Sequence, residues 1–194
     1  MSGKLALFGA VLMLVISATA EVQTWKIDPN HTAAQFSVRH MGISTVRGAF
    51  TKVSGSAQFD PASPAGGSVD VTIDAASVDT RVTMRDDDLR SPNYLDAAKF
   101  PMLTFKSTSV KSAGAGKLVI AGDLTIHGVT KPVELAVDGL SAPITDSHGN
   151  THVGASATTT VKRTDFGVGG SNAMIGDEIS ITIDVELLRP AQPK

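Results

Sequence analysis

Two histidines four residues apart, His148 and His152, have the spacing with which a helix presents two imidazoles to one zinc ion. Gly149 and Asn150 lie between them, so the segment reads as a hairpin turn and the pair as part of a solvated loop. Asp86-Asp87-Asp88 offers carboxylates of the kind a hard cation takes, but acids in the first turn of a helix are also favoured by the macrodipole. No metal site is assigned to either. Nucleophilic catalysis has little to work with. The chain has no cysteine and no Gly-x-Ser-x-Gly elbow, and its Ser, His and Asp residues lack triad spacing. His40 shares strand parity with Phe36 and Val38, so its imidazole points inward near a strand end, where it can meet a ligand head group. A core histidine bonded to backbone is the plainer alternative for it. His31, after Pro29-Asn30, reads as the cap of a turn. The expectation is a non-enzyme without catalytic residues, and His40 is where a lipid-modifying enzyme would reveal itself.

The elements that must position these groups are strands. From Asp177 to Arg189, Ile179, Ile181, Ile183, Val185 and Leu187 share one face while Glu178, Ser180, Thr182, Asp184 and Glu186 share the other. A period of 3.6 would scatter both sets. The same alternation gives inward faces Ala34/Phe36/Val38/His40, Val53/Gly55/Ala57/Phe59, Val69/Val71/Ile73, Leu103/Phe105, Leu118/Ile120/Gly122/Leu124/Ile126, Val133/Leu135/Val137 and Val153/Ala155/Ala157/Thr159/Val161. With Trp25-Lys26-Ile27 they make about eight or nine strands, an all-β sandwich or barrel. Turns are expected at Pro61–Gly67, Ala113–Gly116, His127-Gly128 and Asp146–Asn150. Arg81–Ala98 lacks alternation and reads as a lid, with a short helix near 82–90 and a further helical turn near Leu95–Ala98.

Residues 1–20 read as a cleavable export signal: Lys4, the apolar run Leu5–Ile16, then Ala18-Thr19-Ala20 with cleavage after Ala20. The run is too short to span a bilayer. Residues 21–194 then form one domain, placed in the periplasm and without stable membrane insertion. The net charge is −2, and loss of Lys4 makes it more negative, so the balance attracts neither nucleic acid nor an anionic membrane. Small inward residues such as Gly55, Ala57, Gly122, Ala155 and Ala157 either leave volume unfilled or interdigitate with large ones such as Phe36, Phe50, Phe59 and Phe105, and composition alone does not choose between the two, while one Trp and one Tyr give little stacking surface for sugars or bases. An aliphatic ligand fits that interior better. Arg81, Arg85, Arg90 and Lys99 invite a phosphate, yet Asp86, Asp87, Asp88 and Asp96 cancel them, which predicts a surface salt-bridge network and no net positive charge there.

The chain resembles the YceI-like family of polyisoprenoid-binding, lipocalin-like periplasmic proteins. The likeness runs from Trp25-Lys26-Ile27-Asp28-Pro29-Asn30-His31-Thr32 through Phe36-Ser37-Val38-Arg39-His40 and Val46-Arg47-Gly48-Ala49-Phe50. Its strongest block is Arg85-Asp86, Leu89-Arg90-Ser91 and Tyr94-Leu95-Asp96-Ala97-Ala98-Lys99-Phe100-Pro101, followed by Gly122–Val133 and Arg163-Thr164-Asp165-Phe166-Gly167-Val168. The resemblance implies an extended eight-stranded antiparallel barrel with a short helical lid and a long apolar tunnel. It implies a carrier for an isoprenoid quinone or polyprenyl phosphate, held by Phe36, Val38, His40, Phe50, Ala57, Leu103, Phe105, Leu124, Ala155, Ala157 and Phe166. Head-group candidates are Arg85, Arg90 and Tyr94, and no catalytic cofactor is implied. The family often has a histidine before Leu-Arg-Ser, where this chain has Asp88. A stress-induced scavenger of assorted amphiphiles is the alternative reading, and pairing of strand edges into a homodimer stays open.

Overall fold

Alternation becomes twelve strands in the computed structural model, which describes residues 21–191. The expected leader and its cleavage point lie outside the described residues, apart from Glu21 onward. In chain order the strands are β1 (Gln23–Ile27), β2 (Ala33–His40), β3 (Ser44–Phe50), β4 (Val53–Asp60), β5 (Ser63–Asp74), β6 (Val78–Asp79), β7 (Met102–Ser112), β8 (Lys117–Ile126), β9 (Val129–Asp138), β10 (Ile144–Thr145), β11 (Thr151–Lys162) and β12 (Ile175–Arg189). One helix, α1, spans Thr83–Arg90, and 3-10 turns occupy Ala75–Ser77 and Arg163–Phe166. The expected helical turn at Leu95–Ala98 is a run of hydrogen-bonded turns instead, with the Phe100 and Lys99 amides donating to the Asp96 carbonyl.

Eight strands close an antiparallel barrel in the order β11-β9-β8-β7-β5-β4-β1-β12, and β12 returns to β11 over twelve residue pairs. The second edge of β12 is shared. Its base, Leu187–Leu188, pairs with β1, and Ile175–Asp184 pairs with β2, which carries β3 and β6 beyond it. The lid end of the wall is therefore built from β2, β3 and β6, with α1 packed beside β6. β9 meets β11 over three pairs, from Ser156↔Asp138 to Thr158↔Ala136. Pro132, further along β9, has no N–H to offer β11, which suits a strand whose edge opens toward the lid.

The base is packed solid. Trp25 is fully buried and stacks on Phe59 at 5.4 Å between centroids, with Ile27, Ala34, Val53, Val153 and Leu187 around them. A second cluster joins Phe105, Val110, Leu118, Ile120, Leu135, Val137 and Ala157.

Two expectations need correction, and one open alternative is decided. The Pro61–Gly67 turn shrinks to Pro61-Ala62, because β5 starts at Ser63 and Pro64 sits where β5 has not yet met β7, a free edge that tolerates its missing N–H. The glycines do not leave open volume. A Cβ on Gly122 would strike the Phe105 ring at 2.5 Å, and one on Gly55 would strike the Asp70 carbonyl at 2.2 Å, so ring and backbone already fill those slots. The lid salt-bridge network is also absent among the described residues: Arg90–Asp87 at 3.1 Å is its one ion pair.

The β8–β9 turn shows why His127-Gly128 is read as a turn. Both residues have positive φ, 52° and 76°, the signature of a two-residue type I′ hairpin. A Cβ on Gly128 would also meet Phe100 at 2.5 Å, whereas Gly116, at φ 78°, faces open space. Gly116→Ala should therefore cost only the backbone term, and Gly128→Ala should cost more than that, about 1–3 kcal/mol in total. Equal shifts of the two variants in a denaturant titration would show that Phe100 moves aside freely.

Candidate functional site

Inward side chains in strand interiors are normally sealed, yet many here are not. Along β12 only Leu187 is buried, while Val185, Ile183, Ile181, Ile179 and Ile175 stay half-exposed although they point into the barrel. Phe36 and Val38 on β2 and Leu124 on β8 behave alike. Their exposed surface faces a cavity of about 1060 Å³ that runs from the packed base to the lid and is lined almost wholly by apolar side chains. Phe36 and Phe50 pack tilted at 5.7 Å to form part of its wall.

All eleven residues expected to hold an apolar chain line this one cavity: Phe36, Val38, His40, Phe50, Ala57, Leu103, Phe105, Leu124, Ala155, Ala157 and Phe166. They are not equivalent. Ala57 and Ala157 are buried among neighbours, whereas Ala155, packed beside the same cluster as Ala157, is only half-buried where it lines the cavity. His40 lies at the mouth, half-buried, and its ring makes no hydrogen bond among the described residues.

The polar groups at the mouth divide into free and engaged ones. Arg85 lines the cavity while its Nε and Nη2 donate to the Thr80 hydroxyl and carbonyl. Tyr94 lines it too. Arg90 does not. Its guanidinium turns onto the wall and donates to the Ala76 and Val78 carbonyls, which removes it from the head-group candidates. The three aspartates also point three ways, because Asp86 is buried against the Thr80 amide and hydroxyl, Asp87 pairs with Arg90, and Asp88 accepts from Asn93 while lining the mouth. They form no cation site.

Sequence reasoning missed Arg163. Its guanidinium is buried, and its Nε, Nη1 and Nη2 donate to the carbonyls of Gly176, Val168, Gly170, Asn172 and Ile175. A guanidinium has five N–H donors, so all are spoken for and none remains for a ligand. Arg163 instead folds residues 168–176 into one side of the mouth. The glycines at 167, 169 and 170, all with positive φ, were the only local hint of such a tight wrap.

A second cluster lies on the outer wall near the base. His152 does not converge with His148. It bridges Glu186 at 2.7 Å and Asp146 at 3.2 Å, while His31 meets Asp28 at 2.9 Å. Asp28, not His31, caps the turn by accepting the Asn30 amide. Single ligand atoms of Asp28, His31 and Glu186 lie within 4.8 Å of one another, a donor set a metal ion could use, though the His31–Asp28 and Glu186–His152 hydrogen bonds already account for their placement. The hydrogen bond to Asp28 raises the His31 pKa, helped by the charges of Asp28 and Glu186, and hydrogen bonds to Asp146 and then Glu186 raise that of His152. Asp146 is held well below the usual carboxylate range, chiefly by the Asn150 side chain, and Asp28 is lowered chiefly by His31.

Histidines whose folded pKa is raised contribute stability that is complete below about pH 6.5 and is lost as pH rises through the folded value. The lowered carboxylates contribute above about pH 4 and lose it as pH falls. The melting temperature should thus drop between about pH 6 and about pH 9 in the native chain by more than in His152→Gln. Parallel curves in a calorimetric pH series would show that His152 does not carry this linkage.

A closed antiparallel barrel of eight strands around an apolar cavity, with one end plugged and a helix at the other, is a ligand-enclosing barrel. The chain belongs to the YceI-like domain family, whose model matches residues 25–187. A UPF0312 protein of Vibrio cholerae is 36% identical over 170 residues, covering 87% of this chain and 89% of the relative. One of Shewanella baltica is 35% identical over 184 residues, covering 95% and 96%. Among solved structures, Burkholderia cenocepacia BcnA superposes with a TM-score of 0.74 at 28% identity, over 82% of this chain and 98% of that one. A domain from Saccharophagus degradans described as polyisoprenoid-binding shares the fold, with a TM-score of 0.64 at 18% identity, over 86% of this chain and 98% of that one.

Proposed function

We propose that the protein is an exported carrier that holds a long isoprenoid chain in the barrel, with its head group at the lid, and performs no chemistry on it. The observation that carries this reading is the row of half-exposed aliphatic side chains along β12 facing a cavity of about 1060 Å³. Apolar surface left open inside a fold gains roughly 25 cal/mol per Å² when a ligand covers it, so a flexible apolar chain is the natural occupant. The polyisoprenoid-binding description of the Saccharophagus degradans domain supports an isoprenoid over a straight chain.

The mouth supports an uncharged head. Among the charged side chains that line the tunnel, Arg163 is saturated and Arg85 is matched by Asp88, while Arg90 is turned away and the arginines of the outer rim do not line it, so the tunnel itself offers a phosphate no net positive charge. His40, Ser44 and Tyr94 line the mouth with groups that can donate or accept a hydrogen bond, and they suit a quinone carbonyl or hydroxyl. Displacement of a fluorescent fatty probe by prenyl alcohols of increasing length tests the reading. Affinity should rise by about 100-fold or more for each added five-carbon unit until the tunnel is full, at about 0.8 kcal/mol per buried methylene. Affinity independent of chain length would overturn it.

A further inference from the structure

Of the eight large apolar side chains exposed among the described residues, five belong to the lid end: Met41, Ile43, Val82, Met84 and Met174. The fold brings them to one rim. Met41 and Ile43 form the tip of the β2–β3 hairpin, and the Met41 amide donates to the Met174 carbonyl at 2.6 Å. β6 pairs with β3 at Phe50↔Val78 and Ala49↔Asp79, a Cβ on Gly48 would touch Thr80, and Val82 and Met84 line the same cavity as Val46, so the start of α1 lies on the β3 side of the mouth. Val82 and Met84 also line the tunnel mouth.

The tip is costly as built. Met41 takes φ 53° and Gly42 φ 71° in a turn closed by the Ile43 amide on the His40 carbonyl, positions usually given to Asn and Gly. A methionine with positive φ, flanked by Ile43 at 79% exposure, meets both a backbone and a solvation penalty, and such outliers mark function. Arg39 holds the turn rigid, donating to the Gly42 carbonyl at 2.7 Å and the Thr45 hydroxyl at 2.8 Å.

Charge around the rim differs from that of the whole chain. Residues 39–47, 81–85 and 168–176, which build it, contain Arg39, Arg47, Arg81 and Arg85 and no carboxylate, although the chain is net negative. Of the neighbouring carboxylates, Asp79 accepts from the Arg81 amide, Asp87 pairs with Arg90, Asp177 accepts from the Thr164 amide and hydroxyl, and Asp88 lines the mouth beside Arg85, so the exposed rim cations without an ion-pair partner among the described residues are Arg39, Arg47 and Arg81. We infer that this rim is a peripheral docking surface for an anionic lipid bilayer, in which Met41, Ile43, Met84 and Met174 enter the interface while the arginines meet lipid phosphates. Flexible apolar side chains ringed by cations bind such an interface by shallow burial plus electrostatic attraction. The inference rests on the carrier reading, because a tunnel that opens inside the docked rim lets a lipid pass between bilayer and barrel without crossing water.

The test is flotation of residues 21–194 with phosphatidylethanolamine/phosphatidylglycerol vesicles, using phosphatidylcholine vesicles as control, beside tunnel binding by probe displacement. The native chain should float with anionic vesicles and lose binding as salt rises. Ile43→Glu and Met174→Glu, at exposed positions outside the tunnel lining, should each cut the vesicle-bound ratio roughly tenfold and leave probe binding unchanged. Arg47→Gln combined with Arg81→Gln should weaken it about fivefold per arginine. Blocking the tunnel with Ala155→Trp should leave flotation intact, which separates failure of docking from failure of the carrier reading. No flotation by the native chain, or flotation unaffected by Ile43→Glu, overturns the inference. So does a concentration-dependent dimer that Ile43→Glu abolishes without any vesicle binding, since the rim would then cover a second copy.

Discussion

Replacing Ala155 with Trp should abolish retention of a long apolar ligand while leaving the barrel folded. Ala155 is half-buried where it lines the cavity, so an indole there projects from the wall into the space a ligand would take. Excluding even four methylenes of a ligand forfeits roughly 3 kcal/mol, a loss of about 100-fold or more in affinity. Ala157, two residues on, gives the contrast. It is packed against the cluster of Phe105, Leu135 and Val137, and Trp there overfills a closed core, destabilising the fold by about 1–3 kcal/mol. Probe displacement and denaturant unfolding on both variants read the two effects apart. Unchanged ligand affinity in Ala155→Trp would mean that the chain binds elsewhere.

Arg163→Leu should be the most destabilising single change at the lid, at about 3–5 kcal/mol. Each of the five carbonyls that now accept from the guanidinium would lose that donor, the Asn172 carbonyl keeping a second one in the Ile175 amide, and a buried acceptor left unpaired costs about 1–3 kcal/mol where it cannot reach water. Part of that loss is recovered as residues 168–176 open to solvent, which is why the total falls below the sum. Arg163→Lys keeps the charge but offers three donors in place of a planar fork, and should recover less than half. Amide exchange should rise in residues 168–176 of both variants. A stability loss without faster exchange there would contradict the role given to Arg163.

Much of the barrel was legible because facing in or out is a local property of a strand, written every second residue, as Ile179 to Leu187 shows. β3 was harder to see. Its inward positions are Ser44, Val46, Gly48 and Phe50, and Gly48 breaks the apolar row because the Phe36 ring occupies the space a side chain would take. The same physics left the reading of Gly55 and Gly122 open, since sequence shows that a side chain is absent and not what replaces it. The eleven tunnel residues share one cavity because parity was correctly assigned, but which of them are packed and which are open depends on cross-barrel partners. Arg163 was illegible for another reason: its partners are carbonyls, which every residue carries. The lid charges looked like an ion-pair network by count, yet Arg85, Asp86 and Arg90 each bond to Thr80 or to backbone.

The central claim is that the tunnel holds an isoprenoid chain. Protein processed by a bacterial host that makes isoprenoid lipids can be purified without detergent, extracted into organic solvent and analysed by mass spectrometry beside native mass spectrometry of the intact complex. The account predicts a single class of isoprenoid-chain lipid, near one per barrel, that is missing from Ala155→Trp. An empty barrel, or an assortment of unrelated amphiphiles retained equally by Ala155→Trp, would contradict it.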